Sequence, residues 1–198
     1  MADGAAPLVL ASGSAARRAL LLAAGLRFTV RPPGIDEAAL KQAMRGATAE
    51  AAALALAAAK ARQVDAPGAL VIGADQVLAC DGEWFDKPGD ADGAMEQLLR
   101  LRGRTHVLAT AVSCWRDGAA VWEEVAQPRL AMRAFTNRFL EAYLAQEGAA
   151  CWECVGGYRF EGLGVHLFER VEGEQAAILG LPMLALLGFL RRSGIVLG

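Results

Sequence analysis

The stretch Leu8–Leu22, LVLASGSAARRALLL, constrains the fold of this chain more than any other. It begins with a short apolar run, which predicts a buried strand, and continues into a loop of small residues. Ser14 is a favourable N-cap for a helix over residues 15–24, and Gly25 ends that helix. The pattern therefore predicts a strand that leads through a tight loop directly into the first helix.

The loop between this strand and this helix has the composition of an anion site. It brings backbone N–H groups, the hydroxyls of Ser12 and Ser14, and the side chains of Arg17 and Arg18 to one helix N-terminus. Such a terminus favours phosphate, because its N–H groups and its dipole both carry partial positive charge. The alternative is an ordinary connection with solvated arginines, since the G-x-x-x-x-G-K-[ST] pattern of a Walker loop is absent.

Composition narrows the class of protein. The 198 residues are enough for one domain, or a compact pair of lobes, with a sizeable core. No apolar run approaches the roughly 20 residues that a membrane-spanning helix needs, so we expect no membrane association. The N-terminus lacks the basic segment of a secretory signal, so we expect a cytoplasmic protein. The net charge of −2 gives no reason to expect a nucleic-acid partner.

The cysteines favour reduced structural thiols over a metal centre. Cys151 and Cys154 form a C-x-x-C pattern, which allows a zinc or a redox interpretation. The sequence has no second C-x-x-C and only two histidines, His106 and His166, to complete such a centre. We therefore expect these thiols to remain reduced in the cytoplasm.

A carboxylate lies inside the strongest predicted strand. Residues 69–80, ALVIGADQVLAC, are apolar except around Asp75, and a charge there is costly unless it is paired, hydrogen-bonded or bound to a metal. Gly73 leaves room for a ligand to approach the backbone. Gln76 should face the opposite side of the strand, because successive side chains alternate. We therefore interpret Asp75 as a functional residue.

Glu37 and the lysines are further candidates for metal-binding or phosphate-binding residues. Glu37 adjoins another carboxylate in a turn, where the pair either binds a metal or simply begins a helix. The 20 basic residues include only three lysines, Lys41, Lys60 and Lys87, and in a chain that otherwise uses arginine a lysine suggests a place for a compact ammonium. Lys60 lies near the end of a helix that Thr48 caps, where it either favours the helix dipole or reaches a phosphate. Lys41 fits plain helix surface.

Turn and cap signals divide the rest of the chain. Asp-Gly pairs at 81–82 and 117–118 predict two hairpins, and the second joins strands over residues 107–116 and 119–132. Residues 102–106 lead into this β-rich part of the chain, and farther along residues 152–160 and 165–171 flank a tight loop, Glu161-Gly162-Leu163-Gly164. The remaining predicted elements are a strand over residues 27–31 and helices over residues 38–44, 48–64, 91–102, 136–148 and 182–192.

Five stretches together resemble the Maf family of nucleoside triphosphate pyrophosphatases, in the right order and over nearly the whole chain. They are LVLASGSAARRALL (8–21), IDE (35–37), VIGADQ (71–76), DKP (86–88) with LRGRTH (101–106), and FEGLGVHLFERVEG (160–173) followed by ILGLP (178–182). The resemblance implies one Maf-like domain over residues 1–198. Its expected fold is α/β, a mixed twisted sheet with flanking helices and two lobes around a cleft, similar to inosine triphosphatase.

The resemblance also implies an activity, the house-cleaning cleavage of a nucleoside triphosphate into monophosphate and pyrophosphate by a homodimer. It assigns the proposed base to Asp75. The residues suit this chemistry, because Arg17, Arg18, Lys60, Lys87 and the loop around Ser12 and Ser14 can bind triphosphate oxygens. Asp75 and Glu37 can hold Mg²⁺ or Mn²⁺, and which of them is ligand and which is base stays open. The rival class is a nucleotide-binding regulator of cell division, a septum formation inhibitor without turnover.

Three positions distinguish the specificity subgroups that the resemblance suggests: Ala16, Gln76 and Glu161. Gln76 and Glu161 resemble the subgroup that hydrolyses 7-methyl-GTP, whereas Ala16 departs from the tryptophan typical of that subgroup. A carboxylate can accept hydrogen bonds from a guanine N1–H and 2-amino group, so we expect a modified purine to be preferred over dTTP and UTP. The alternative is that Glu161 only pairs with Arg159 or Arg170.

Overall fold

A computed structural model describes residues 6–196, which contain eight strands and seven α-helices. The strands are β1 (Leu8–Ala11), β2 (Thr29–Val30), β3 (Leu70–Cys80), β4 (Glu83–Phe85), β5 (Thr105–Arg116), β6 (Ala119–Ala126), β7 (Arg129–Met132) and β8 (Phe168–Glu172). The α-helices are α1 (Ala15–Ala23), α2 (Glu37–Ala43), α3 (Ala49–Arg62), α4 (Ala91–Leu101), α5 (Asn137–Glu147), α6 (Gln175–Ile178) and α7 (Met183–Arg192).

The strands form a mixed sheet in the order β2-β1-β3-β5-β7-β8, with β4 paired to β3 and β6 paired to β5. β1 is parallel to both β2 and β3, whereas the pairs β3–β4, β5–β6, β5–β7 and β7–β8 are antiparallel. This arrangement confirms the predicted mixed α/β fold. Left-handed backbone at Asp81 and Gly82 and at Asp117 and Gly118 confirms both predicted hairpin turns.

The chain divides into two compact units. The described part of unit 1 comprises residues 6–76, 110–126 and 174–196, and unit 2 comprises residues 77–109 and 127–173. The cleft stays a prediction. Within the described residues, no helix is long and apolar enough to cross a membrane.

Two parallel strands of unit 1, β1 and β3, are buried on both faces. One face packs into the core of α1 and α7, and its members are Leu8, Leu10, Leu70, Ile72 and Ala74. The other face packs against α3, and its members are Val9, Ala11 and Val71. Because side chains alternate along a strand, Asp75 continues the α3 face and Gln76 continues the opposite one. The expectation that these two side chains point apart is thus confirmed.

Helix α3 approaches β3 at backbone contact distance, and Gly73 makes this possible. A β-carbon added at Gly73 would lie 2.1 Å from the carbonyl oxygen of Ala57 and 2.8 Å from the amide nitrogen of Ala61. The expectation that Gly73 leaves room for a ligand is therefore wrong, since the helix occupies that room. Small residues on α3 allow the approach, and it brings the last turn of the helix beside Asp75.

Residues 152–160, expected to lead as extended chain into a tight loop, contain no strand. A 3₁₀ turn at Val155–Gly157 lies there instead, and a second at Leu163–Leu167 precedes β8. The reason is local, because Gly156 and Gly157 both adopt positive φ, which interrupts an extended strand. The predicted strand over residues 119–132 is likewise divided into β6 and β7 around Pro128, which has no N–H to donate.

Candidate active site

In unit 1, Lys60 joins the two carboxylates that the sequence singles out. Its Nζ lies 2.5 Å from Oδ1 of Asp75 and 2.9 Å from Oε1 of Glu37. Lys60 and Asp75 are buried, with 7% and 6% of their side chains exposed, whereas 51% of the Glu37 side chain is exposed. Burying a charge is costly without a partner, so the Lys60–Asp75 pair offsets the cost for both groups. Glu37 leaves the cluster open to solvent on one side.

Arg17 is the second buried cation of unit 1. Its Nε donates to the carbonyl oxygen of Gly180 at 3.0 Å, and its Nη1 donates to Oγ of Ser12 at 3.1 Å. Burial lowers the pKa of the Arg17 guanidinium from its ordinary value, while the negative charges of Asp75 and Glu37 act in the opposite direction. Arg17 is therefore within electrostatic range of both carboxylates.

The loop before α1 is ordered by its own hydroxyls. Ser14 is the N-cap of α1, as predicted, and its Oγ accepts from the Arg17 amide at 3.4 Å. Ser12 is buried and its Oγ accepts from the Ser14 amide at 3.2 Å. Arg18 is exposed and Ala16 is half-buried on the same helix. The N-terminus of α1 thus presents amides and one buried guanidinium, as an anion site requires.

Gln76 is engaged by backbone carbonyls on the opposite face of β3. Its Nε2 donates to the carbonyl oxygens of Ala177 and Ile178, at 3.0 and 3.1 Å, and to Oγ1 of Thr110 at 2.8 Å. These contacts use the amide nitrogen to hold the end of the short helix α6. Gln76 would therefore contact a substrate through its side-chain carbonyl oxygen, Oε1.

Lys87 and Glu161 belong to unit 2. The Lys87 ammonium is exposed and lies 3.5 Å from a carboxylate oxygen of Glu153. Oε1 of Glu161 lies 3.5 Å from Nε of Arg159, and 38% of the Glu161 side chain is exposed. Arg170 instead pairs with Glu172. The structure therefore pairs Glu161 with Arg159, and the Glu161 side chain stays partly exposed.

Sequence comparison decides the family. The pattern of the Maf-like protein family matches residues 7–193, which is nearly all of the chain. The chain belongs to the Maf-like family. Three curated relatives are named nucleoside triphosphate pyrophosphatase. The protein of Rhodospirillum rubrum is 48% identical, with 96% of each chain covered. That of Paramagnetospirillum magneticum is 52% identical, covering 94% of this chain and 98% of the relative. That of Gluconobacter oxydans is 51% identical, with 93% of each covered.

The carboxylates of this Maf-like protein suit a hard divalent cation. Across residues 6–196, no group of three His, Cys, Asp or Glu side chains is arranged to hold a metal by itself. Mg²⁺ does not need one, because it commonly binds one or two carboxylates and takes its other ligands from water and substrate phosphates. The ion pairs of Lys60 use one oxygen of each carboxylate, Oδ1 of Asp75 and Oε1 of Glu37. They do not use the second oxygen of either carboxylate, which a cation could bind. The donor set therefore fits.

Sequence reasoning missed one component of this cluster, the carbonyl oxygen of Gly180. This oxygen fixes Arg17 from 163 residues away. Gly180 adopts a φ of 105°, and an added β-carbon would lie 3.0 Å from Nε of Arg17. The only sequence feature that pointed to Gly180 was the ILGLP stretch of the family resemblance. Every residue has a backbone carbonyl, so residue type does not show which carbonyl binds Arg17.

Proposed function

We propose that this Maf-like protein hydrolyses a nucleoside triphosphate to the monophosphate and pyrophosphate, with a divalent cation, and that it prefers 7-methyl-GTP or another modified purine. Removing such nucleotides is a house-cleaning role. The enzyme class rests on the relatives, because proteins named nucleoside triphosphate pyrophosphatase match this chain at 48–52% identity over nearly its whole length. The protein is accordingly a nucleoside triphosphate pyrophosphatase, a hydrolase.

The observation that supports this mechanism most is the cluster of Arg17, Glu37, Lys60 and Asp75 in unit 1. Cleavage between the α- and β-phosphates needs neutralised phosphate charge and a positioned water. The N-terminus of α1 and the buried Arg17 neutralise phosphate charge. A buried carboxylate accepts the proton of the attacking water. We assign the proton acceptor to Asp75, because Lys60 holds it in place while Glu37 is half exposed.

The cation would be held by Asp75 and Glu37. When bound, it would neutralise phosphate charge and make a coordinated water more acidic. Lys60 would then be available to a phosphate oxygen. This is the second of the two roles that its place near the end of α3 allows. Lys87 and Arg18 are proposed as further phosphate ligands on the strength of the resemblance, and the exposure of both cations is compatible with that role.

The preference for a modified purine is supported by Glu161. Its side chain is partly exposed, and a carboxylate suits the N1–H and 2-amino donors of a guanine and the positive charge of a 7-methylated base. Uracil and thymine offer only one N–H beside two carbonyl oxygens, so Glu161 would face a carbonyl without a proton to share.

The test is a turnover panel. Pyrophosphate release from 7-methyl-GTP, GTP, UTP and dTTP is measured with Mg²⁺, Mn²⁺ and no metal, for the wild type and for Glu161→Gln. We expect metal-dependent turnover, the highest kcat/KM for 7-methyl-GTP, and loss of that ranking in the variant. If UTP or dTTP is the best substrate, the base preference is wrong. Tight nucleotide binding with no turnover under any condition would instead favour the regulator of cell division.

A further inference from the structure

Glu147, the last residue of α5 in unit 2, is a buried carboxylate outside the cluster described above. Only 5% of its side chain is exposed. Its Oε1 accepts from the backbone amide of Leu163 at 2.6 Å, and its Oε2 accepts from Nη1 of Arg159 at 3.4 Å. A carboxylate is buried at high cost unless it is fully paired, so these two partners account for its place in the fold. One side chain thus binds both a loop backbone and an arginine.

The loop over residues 161–164 closely surrounds this carboxylate. A β-carbon added at Gly162 would lie 2.5 Å from Oε1 of Glu147, so the carboxylate lies close against the backbone of this loop. The Leu163 amide follows directly and points at the same oxygen. The backbone on the C-terminal side of Glu161 therefore lies against Glu147 at Gly162 and is hydrogen-bonded to it at Leu163, which limits where the Glu161 side chain can begin.

Arg159 connects Glu147 to the Glu161 carboxylate itself. Its guanidinium lies between the two, with Nη1 at 3.4 Å from Oε2 of Glu147 and Nε at 3.5 Å from Oε1 of Glu161. A guanidinium is planar and presents its donors in a fixed fork, so holding one edge orients the other. Glu147 therefore acts on Glu161 by two routes, the loop backbone and the arginine.

We propose that Glu147 is a positioning residue for base selection, which holds the Glu161 carboxylate in its substrate-accepting orientation through Arg159 and the Leu163 amide. The proposal rests on the proposed function in one respect, since it takes Glu161 to be the residue that meets the base. Glu147 itself contacts no substrate in this scheme. It determines how a substrate-binding carboxylate is held.

Two variants of Glu147 separate its two contacts. Glu147→Gln keeps an oxygen for the Leu163 amide but removes the charge that holds Arg159. Glu147→Ala removes both. Glu141→Ala is the matched control, because Glu141 is an exposed carboxylate on the same helix. The readouts are kcat/KM for 7-methyl-GTP and UTP, and the hydrogen-exchange rate of the Leu163 amide.

We expect the ratio of kcat/KM for 7-methyl-GTP over UTP to fall on the order of tenfold in Glu147→Ala, since a hydrogen-bonding carboxylate is no longer oriented. Glu147→Gln should give a smaller fall, and Glu141→Ala none. Exchange at the Leu163 amide should accelerate in Glu147→Ala but stay slow in Glu147→Gln. Adding Glu147→Ala to Glu161→Gln should lower the ratio no further than Glu161→Gln alone, because both changes act through one carboxylate.

The outcomes distinguish this inference from the function on which it rests. If Glu161→Gln changes the substrate ranking while Glu147→Ala leaves it intact, the inference is overturned and the role of Glu161 stands. If neither variant changes the ranking, both are overturned. Equal losses of kcat/KM for all substrates in Glu147→Ala, with a folded protein, would reduce Glu147 to a structural residue and also overturn the inference.

Discussion

Lys60 is the residue on which the candidate site of unit 1 depends. Its ammonium lies between Asp75 and Glu37, so the charges of the cluster are largely balanced from within the chain. Sequence reasoning identified all three residues individually, from a charge inside an apolar strand, an acidic turn and a rare lysine. It did not identify their mutual contact, because they are separated in sequence and only packing brings them together.

Asp75→Asn should lower kcat by about two orders of magnitude or more, because the proton acceptor is lost. The variant should remain folded, since the asparagine oxygen can still accept from Lys60. Steady-state kinetics and a thermal unfolding curve measure the two effects. Asp92→Asn, an exposed change on α4, is the control. Near-normal turnover in a folded Asp75→Asn protein would remove Asp75 from the mechanism.

Lys60→Gln should bind Mn²⁺ more tightly than the wild type, on the order of tenfold, because an ammonium close to both carboxylates repels a divalent cation. Binding is measured by electron paramagnetic resonance of free Mn²⁺, without substrate. Arg62→Gln removes an exposed positive charge from the same helical turn and should change the affinity much less. Unchanged or weaker binding in Lys60→Gln would show that these carboxylates do not hold the cation.

At the scale of elements, most helices and strands follow from local signals. Ser14, Thr48, Asp90 and Thr136 each cap the helix that the sequence predicted after them. The predictions fail at residues 152–160, where a 3₁₀ turn replaces a predicted extended segment, and at Pro128, where one predicted strand becomes two. Periodicity alone did not reveal the first failure, because that segment is organised by the positive φ of Gly156 and Gly157 and by the contact of Arg159 with Glu147, not by a repeating apolar face.

The contact between α3 and β3 gives a stability prediction. Gly73→Ala should lower the free energy of unfolding by about 1–3 kcal/mol, because the new methyl group would overlap the backbone of α3. Activity per folded molecule should also fall, since α3 carries Lys60. Urea denaturation measures the first effect. Gly34→Ala, where nothing lies within 4 Å of the added carbon, is the matched control and should be nearly neutral.

At the scale of the whole molecule, acid should destabilise the fold through His106. This side chain is fully buried, and its Nε2 lies 2.7 Å from the hydroxyl of Tyr158. Burial lowers the pKa of His106 to about 4 from the ordinary 6.5. Between those values the unfolded chain binds a proton that the folded protein does not. The free energy of unfolding should therefore fall as pH drops from 6.5 to 4, by about 3 kcal/mol in total.

The measurement is urea denaturation at pH 7 and at pH 4.5. His106→Gln should show a shallower decrease than the wild type, whatever its stability at pH 7, because it has no imidazole to protonate. His166→Gln, at the other and exposed histidine, should follow the wild type. Parallel curves for the wild type and His106→Gln would show that other groups cause the acid sensitivity.

The resemblance predicts a homodimer, which is tested directly by light scattering on a size-exclusion column. We expect twice the 20.8 kDa mass of one chain. A single-chain mass at micromolar concentration would contradict this expectation. The activity proposed above does not depend on the outcome, because Arg17, Glu37, Lys60 and Asp75 all come from one chain.

The sequence by itself determined the family, the order of the main elements and the residue types that carry charge into the core. These follow from local signals, namely caps, turn pairs, apolar strands and a charge where apolar residues are expected. Only the tertiary structure decided that Lys60 bridges Asp75 and Glu37, that Gly180 holds Arg17 and that Glu147 anchors the loop of Glu161. Such contacts join residues distant in sequence, often through backbone atoms, and residue types alone do not predict them.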